Sequence, residues 1–384
     1  MNAGWVTKTL DQISINLDSR RIPITKAVRA SGKYPYYGAS GIVDYVADYI
    51  FDEDTLLISE DGANLIARAT PIAFPATGKY WVNNHAHILK FESMTTQRFV
   101  ELYLESIPLD DYITGAAQPK LNQKALNSIP IPLPPLPEQR RIVSILGEAL
   151  EGIDTVKANA EKNLENARAL FASHLEAVFT QRGVGWGKKT LEEVANVNCT
   201  LSYGIVQPGD EYPNGLPVVR PTDLTTKVIR LSGLKRINPK LAEGYRRTAL
   251  FGGELLLCVR GSTGVVSIAS TELVGANVTR GIVPIRFDGA LLTPGFGFYL
   301  MSSGVVQSQI REKTYGAALM QINIRDLRNV ALTFPPLKEQ EGIAANLDEL
   351  HVETQRLESI YQQKLTALDE LKKSLLHQAF TGQL

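Results

Sequence analysis

The chain has 384 residues, 44% of them apolar and 21% charged, which suits a globular protein of two to four domains. No stretch approaches the roughly 18 to 20 apolar residues that cross a bilayer, and the opening Met1–Ile13 has no basic segment followed by an apolar run, so a cytoplasmic protein with no membrane partner is expected. Lys plus Arg equals Asp plus Glu at 40 each, so the chain lacks the basic surplus that usually marks nucleic-acid binding; such a partner requires positive charge gathered on one face or supplied by another subunit. The two cysteines, Cys199 and Cys258, have no metal-like or redox-like spacing and read as reduced core thiols.

In chain order, residues 1–134 are rich in Gly, Pro and Tyr, with short β-type runs such as Thr55–Ser59 and His87–Phe91 and a helix expected over Arg98–Ile107. A proline-rich stretch, Ile129–Pro137, leads into residues 138–181, which contain no proline. There Ile142, Leu146, Ala149, Ile153, Val156 and Ala160 recur at spacings of four and three, the stripe of a long helix that cannot bury its seam alone. Residues 185–335 return to short strands, Glu254–Val259 among them, with a helix expected over Gly297–Ile310. A second proline-rich stretch ends at Pro336, and Ile343, Leu347, Leu350, Thr354, Leu357 and Tyr361 repeat the stripe over residues 339–380. Proline is tolerated in the first turn of a helix but not inside it, so each junction marks a helix start.

The second half copies the first. Gly115-Ala116-Ala117 recurs as Gly316-Ala317-Ala318, a displacement of 316 − 115 = 201, and Pro134–Gln139 recurs as Pro335–Gln340 at the same displacement. Trp5 and Trp186, each opening a similar segment, differ by 186 − 5 = 181, so the second copy has gained a net 20 residues before its GAA turn. A locked offset of this kind marks a tandem duplication. Two seams in one chain can pair with each other; helices of roughly 40 residues make rods of about 60 Å. The fold class expected is α+β: two globular domains alternating with two long helices paired as an antiparallel coiled coil, with an internal pseudo-twofold. The seam is assigned to Ile142, Leu146, Ile153 and Val156 on one helix and Ile343, Leu347, Leu350 and Leu357 on the other, for helix pairing and partner docking. Two similar modules on a spacer suit a linear, twofold ligand such as duplex DNA, whose half-sites lie about 34–36 Å apart on one face. Because the modules differ in sequence, the site expected is asymmetric and bipartite.

Several segments carry a family resemblance. Tyr34–Val43 (YPYYGASGIV), Glu60–Leu65 (EDGANL) and Asn83–His87 (NNHAH) resemble a recognition domain of the specificity subunits of type I restriction–modification systems. Ile129–Gln139 and Leu332–Gln340 resemble that family's two junctions into its spacer helices. The second module lacks YPYYGASG and NNHAH, and Leu216–Leu224 (LPVVRPTDL) resembles another subtype of the same domain. The resemblance implies target-recognition domains at 1–134 and 183–335, and spacer helices at 135–182 (central conserved region) and 336–384 (C-terminal conserved region). It further implies double-stranded DNA, two methyltransferase subunits and restriction/translocase subunits as partners. S-adenosylmethionine, ATP and magnesium would then reside in those partners, with no cofactor in this chain. The alternative from another class is a coiled-coil scaffold for protein interactions with ligand-binding end domains.

No catalytic or metal site emerges from the residues themselves. Gly187-Lys188-Lys189 ends a failed P-loop with Arg182 where the first glycine belongs, and Gly261-Ser262-Thr263-Gly264 reads as a turn. Glu370-Leu371-Lys372 falls on the helical stripe, and His85 and His87 lack further ligands nearby. Base edges are read mainly by Arg, Lys, Asn and Gln, and phosphates are held by Arg, Lys and Tyr. In the first module the DNA contacts expected are Arg20, Arg21, Lys33, Tyr36 and Tyr37, with Asn64, Arg68, Lys79, Asn84 and His85. In the second they are Arg220, Lys227, Arg230 and Lys235, with Arg246, Arg247, Arg260 and Arg280.

Overall fold

A computed structural model describes all residues except 1–3, 116, 182 and 318. The chain divides into two compact units, Met1–Glu161 with Gln362–Leu384, and Lys162–Tyr361. The division cuts both long helices, Leu136–Thr180 and Leu337–Thr381, so each unit owns half of each.

Unit 1 carries two four-stranded sheets. One orders Ile15–Asn16, Ala86–Lys90, Thr55–Ser59 and Ala73–Ala76; the other orders Gly41–Val46, Ser31–Gly38, Lys79–Val82 and Phe51–Asp52. The strand Val6–Thr9 pairs antiparallel with Pro130–Leu133, tying the start of the module to the junction before the helix. Unit 2 repeats the plan. Val228–Ile229, Val266–Ala269, Leu255–Cys258 and Ile282–Ile285 form one sheet, and Lys235–Ile237, Leu216–Val219 and Asn277–Val278 form another. Gly187–Thr190 pairs with Ala331–Phe334 as Val6–Thr9 does with Pro130–Leu133. The central strands Thr55–Ser59 and Leu255–Cys258 are buried throughout, because both their faces are covered.

Within each unit the long helices run antiparallel. In unit 1, Ile142 and Leu146 share a core with Leu376 and Ala379, and Lys157 pairs with Asp369 at 2.7 Å; numbers rise along one helix as they fall along the other. In unit 2, Arg168 meets Glu358 at 3.0 Å and Phe171 packs on His351 at 4.8 Å, while Leu175 and Phe179 join a core with Ala344 and Leu347. Ile142, Leu146, Ile153 and Leu347 are buried, and Ile343, Leu350 and Leu357 half-buried, as a seam requires. Val156 is the exception and corrects the expected pairing: it is 49% exposed, and Lys157 lies half-buried beside it, its stem along the seam and its ammonium on Asp369.

The junction into each helix is held by one glutamine. Gln139 is buried; its amide donates to the Pro134 carbonyl at 2.8 Å and its oxygen accepts the Thr96 hydroxyl at 2.8 Å. Gln340 donates to the Pro335 and Leu291 carbonyls at 2.9 and 2.8 Å and accepts from the Thr293 N–H at 3.0 Å. Each amide therefore staples the first helical turn to the module before it.

The shorter helices depart from expectation at one place. Met94–Ser106 forms with Ser93 as its cap, but Gly297–Ile310 is two helices, Pro294–Ser302 and Gly304–Glu312. Ser303 is extended between them, and the Gly304 N–H donates to the Glu176 carboxylate at 3.0 Å. That carboxylate comes from the long helix, so the break is set by packing that local periodicity does not show.

Gln139→Ala leaves the Pro134 carbonyl without this donor and Gln340→Ala leaves the Pro335 and Leu291 carbonyls without theirs, and each is expected to cost about 1–3 kcal/mol. Urea denaturation of the two variants measures it; a loss within error for both would show that the staples carry no stability.

Candidate nucleic-acid interface

Three turns meet in each unit, and the same five backbone contacts assemble them. In unit 1 the turn Glu60-Asp61-Gly62 leaves the central strand, Asn83-Asn84-His85 enters the next, and Pro119-Lys120-Leu121, at the end of the GAA loop, lies against the first. Asn83 N–H donates to Tyr37, Glu60 N–H to His85, Leu121 N–H to Glu60, and Gly62 N–H to Pro119, and Asp61 bridges Lys120. In unit 2, Thr279 donates to Val219, Val259 to Gly281, Ile322 to Val259, and Gly261 to Met320, and Arg260 bridges Gln321. The loops turn at Gly115 (φ +86°) and Gly316 (φ +118°), where a Cβ would meet the carbonyl oxygen of Gln118 or Leu319 at 2.4 and 2.3 Å. Only glycine fits there.

These matched bonds also locate the extra residues of the second copy. Tyr37 and Val219 differ by 219 − 37 = 182, but Glu60 and Val259 by 259 − 60 = 199, so 17 of the net 20 lie between the first sheet strand and the central strand. That stretch holds Arg230, Lys235, Arg246 and Arg247. Arg246 and Arg247 are exposed on the last turn of a 3-10 segment, Pro239–Thr248, while Arg230 meets Glu272 at 3.5 Å and Lys235 donates to the Gly209 carbonyl.

The side chains at the shared turns differ sharply. In unit 1 they form a paired network. His85 Nδ1 is 2.8 Å from Asp61; Glu60 accepts from Arg21 at 2.6 Å and from Lys120 at 3.0 Å. The buried His87 has Nδ1 on Asp18 at 2.5 Å and Nε2 on the Leu121 carbonyl at 2.7 Å. Both ring nitrogens therefore face acceptors, and the ring ties its own strand, Ala86–Lys90, to Asp18 on one side and to Leu121, just past the GAA loop, on the other. Asp18, Glu60 and His87 bring their ligand atoms within 4.8 Å of one another, the spacing of a cation site. Arg21 and Lys120 already place their cationic groups on Glu60, so the cluster is satisfied by side-chain charge. Asn84 is exposed beside this network.

In unit 2 the same turns carry Arg260 and Arg280, neither with a carboxylate partner among the described residues. Tyr203 lies beside them, its hydroxyl donating to the Ile322 carbonyl at 3.2 Å. Burial pushes its phenol above the ordinary range; Tyr315 adds to the rise and Arg280 opposes it.

The remaining expected contacts fall into two groups. Lys33 is exposed over the Tyr34 ring, and Lys79 lies over the Tyr49 ring at 4.6 Å and 3.9 Å from Asp52. Arg20 pairs with Glu53, and Asn64 exchanges two hydrogen bonds with Thr70. Arg220 is taken by Asp223 at 2.9 Å. Four of the expected residues are engaged within the protein by burial or by partners. Tyr36 is 1% exposed and capped by Arg29, and Tyr37 beside it packs on Phe74 and Tyr80. Arg68 donates to the Leu104 and Ile107 carbonyls at 3.1 and 3.0 Å, closing the end of a helix. Lys227 is held by Asp348 of the second long helix and by the Tyr299 ring, so it fastens sheet to spacer. Lys120, Tyr203, Tyr315, Leu319 and Met320 also lie at these turns and were not singled out by the sequence; for all but Tyr203, which is brought there by its hydrogen bond to Ile322, nearness to the duplicated GAA turn was the available signal.

Two modules with one backbone plan, each standing on half of an antiparallel helix pair, define a duplicated binding protein. The type I restriction modification DNA specificity domain matches residues 2–166 and again 183–367. The chain belongs to that family. It is 28% identical to a relative from Haemophilus influenzae named as a type I restriction enzyme specificity subunit, over 90% of this chain and 88% of the relative. It is 25% identical to the EcoBI specificity subunit of Escherichia coli, over 69% of this chain, the match spanning 60% of that relative's length. Among solved structures, the HsdS subunit of Thermoanaerobacter tengcongensis shares the fold with a TM-score of 0.60 at 18% identity, covering 100% of this chain and 98% of that one. A chain from a structure of type I R-M complex assembly aligns with a TM-score of 0.70 at 19% identity, covering 100% and 99%. Among the described residues no helix is long and apolar enough to cross a membrane.

The charged network makes a prediction for unit 1. Burial alone would raise the Asp18 and Glu60 carboxyls, yet His87 on the first, and Arg21 and Lys120 on the second, hold both below their ordinary values. A carboxyl with a depressed folded value contributes stability that is present above its unfolded value of about 4 and is lost as pH falls through the folded one. Thermal unfolding followed from pH 7 downward is expected to show a falling melting temperature below that range. Asp18→Asn should flatten this acid limb, and an unchanged limb would remove the network from the stability of the module.

Proposed function

We propose that this chain is the non-catalytic DNA-specificity subunit of a type I restriction–modification complex in the cytoplasm. Residues 1–134 and 183–335 read the two halves of an asymmetric bipartite duplex site; residues 135–182 and 336–384 space the readers and dock partner subunits. Two methyltransferase subunits then supply S-adenosylmethionine chemistry on adenine, extruding the target base from the stack, and restriction/translocase subunits supply ATP and magnesium chemistry. The observation that carries this reading is the three-turn cluster, built by identical backbone contacts in both units and dressed with unlike side chains. A fixed scaffold with exchangeable polar, cationic and apolar tips is what reading two different base sequences requires.

Co-expression with the methyltransferase partner in a host lacking other adenine methyltransferases, followed by genome-wide mapping of methylated adenine, tests it. The expected result is a single two-part motif with an unread gap; methylation without such a motif refutes the reading. Duplex binding by that complex should weaken steeply with salt, because phosphate contacts release counterions. The chain alone with magnesium should leave DNA uncut.

A further inference from the structure

The tip of the GAA loop in unit 2 has no counterpart in the charge chemistry expected of a DNA reader. Its backbone is closed by two hydrogen bonds between Tyr315 and Gln321, at 2.9 and 2.8 Å, and turned by Gly316. The Met320 carbonyl is pinned by the Gly261 N–H at 2.8 Å and the Thr263 hydroxyl at 3.2 Å. On this fixed frame Leu319 is 45% exposed and Met320 44% exposed, with Leu319 beside Gly261. Tyr203 and Tyr315 are also partly exposed nearby, and Arg260 and Arg280 flank the tip with no carboxylate partner among the described residues. In unit 1 the equivalent positions, 201 residues earlier, are Gln118 and Pro119.

An apolar tip between unneutralised arginines complements a surface that is anionic at its edges and apolar at one point within. Duplex DNA offers this in the major groove, where the thymine 5-methyl is the apolar group presented on a base edge between two phosphate rails. Because the backbone on either side of the tip is already hydrogen-bonded, little backbone ordering is left to pay for on binding. We infer that Leu319 and Met320 are specificity-determining residues of the second module, reading thymine methyl groups in its half-site while Arg260 and Arg280 hold the flanking phosphates. The inference rests on the DNA-reading function proposed above.

The test uses the chain purified with its methyltransferase partner and a duplex carrying the motif found by methylation mapping. Replacing thymines of the second half-site, one at a time, by deoxyuridine removes only the methyl group. At one or more positions affinity is expected to fall about fourfold, the effect of losing one methyl-sized apolar contact. The same replacement in duplex bound by the variant Leu319→Gln/Met320→Ser should have no further effect, and methylation mapping of that variant should show the second half-site relaxed at an A·T position with the first half-site intact. The variant should keep the wild-type salt dependence, whereas Arg280→Ala should reduce the slope by about one unit. Wild-type binding indifferent to every deoxyuridine, or a variant that methylates the unchanged motif, overturns the inference. A wild-type methylome with no bipartite motif would instead overturn the DNA-reading proposal itself. The deoxyuridine arm alters only the DNA, so it decides the matter even where a variant folds poorly.

Discussion

Neither long helix can be stable in water by itself, and that constraint organises the chain. Each presents an apolar stripe over most of its 45 residues, a surface that costs free energy until another helix covers it. The duplication provides the cover. In unit 1 the Ile142 and Leu146 end of one seam meets the Leu376 and Ala379 end of the other; in unit 2 Leu175 and Phe179 meet Ala344 and Leu347. Each module core is continuous with its share of the helix pair, so sheet and spacer are one hydrophobic structure. The exposed ion pairs along the seam add little energy of their own and act on register.

The modules separate what holds shape from what faces outward. Shape comes from backbone hydrogen bonds, two loop glycines and the buried glutamines at the junctions, none of which depends on the identity of the exposed side chains. The outward positions are free to change, and they have: by the matched backbone bonds Asp61 corresponds to Arg260, Asn84 to Arg280, and Gln118-Pro119 to Leu319-Met320. Even the internal solution differs, since His87, on the strand Ala86–Lys90 of unit 1, has Val283 as its equivalent in unit 2. The polar lock of one module is replaced by apolar packing in the other.

Much of the fold was legible because the 201-residue offset is locked across the turn, the proline junction and the seam, and because proline and glycine punctuate the helices. Legibility failed where a distant partner decides the outcome. The spacing that nominated Val156 for the seam could not register that Lys157 would lie along it to reach Asp369. Arg68 and Lys227 looked like free cations, but their partners are carbonyls 36 and 39 residues away and a carboxylate 121 residues away. The rule that DNA is met by charge also hid Leu319 and Met320, whose significance comes from being apolar and exposed on an anchored loop. The break at Ser303 depends on Glu176, supplied by an element that local periodicity does not include.

The zero net charge, which argued against nucleic acid at the outset, does not describe the charge at the turns. In unit 1 the basic residues near the shared turns are largely consumed: Arg21 and Lys120 by Glu60, Arg20 and Lys90 by Glu53. In unit 2 Lys227 and Arg220 are likewise neutralised, while Arg260 and Arg280 have no carboxylate partner among the described residues. Composition sums over both populations, but a phosphate responds to the local field, which falls off within about 10 Å at ordinary salt. A balanced chain can therefore present unbalanced turns. The two modules differ in this respect as well: one offers hydrogen-bonding groups already held in pairs, and the other offers bare cations around an apolar tip. Unequal electrostatics on equal backbones lets each module favour a different half-site without altering the frame that holds it.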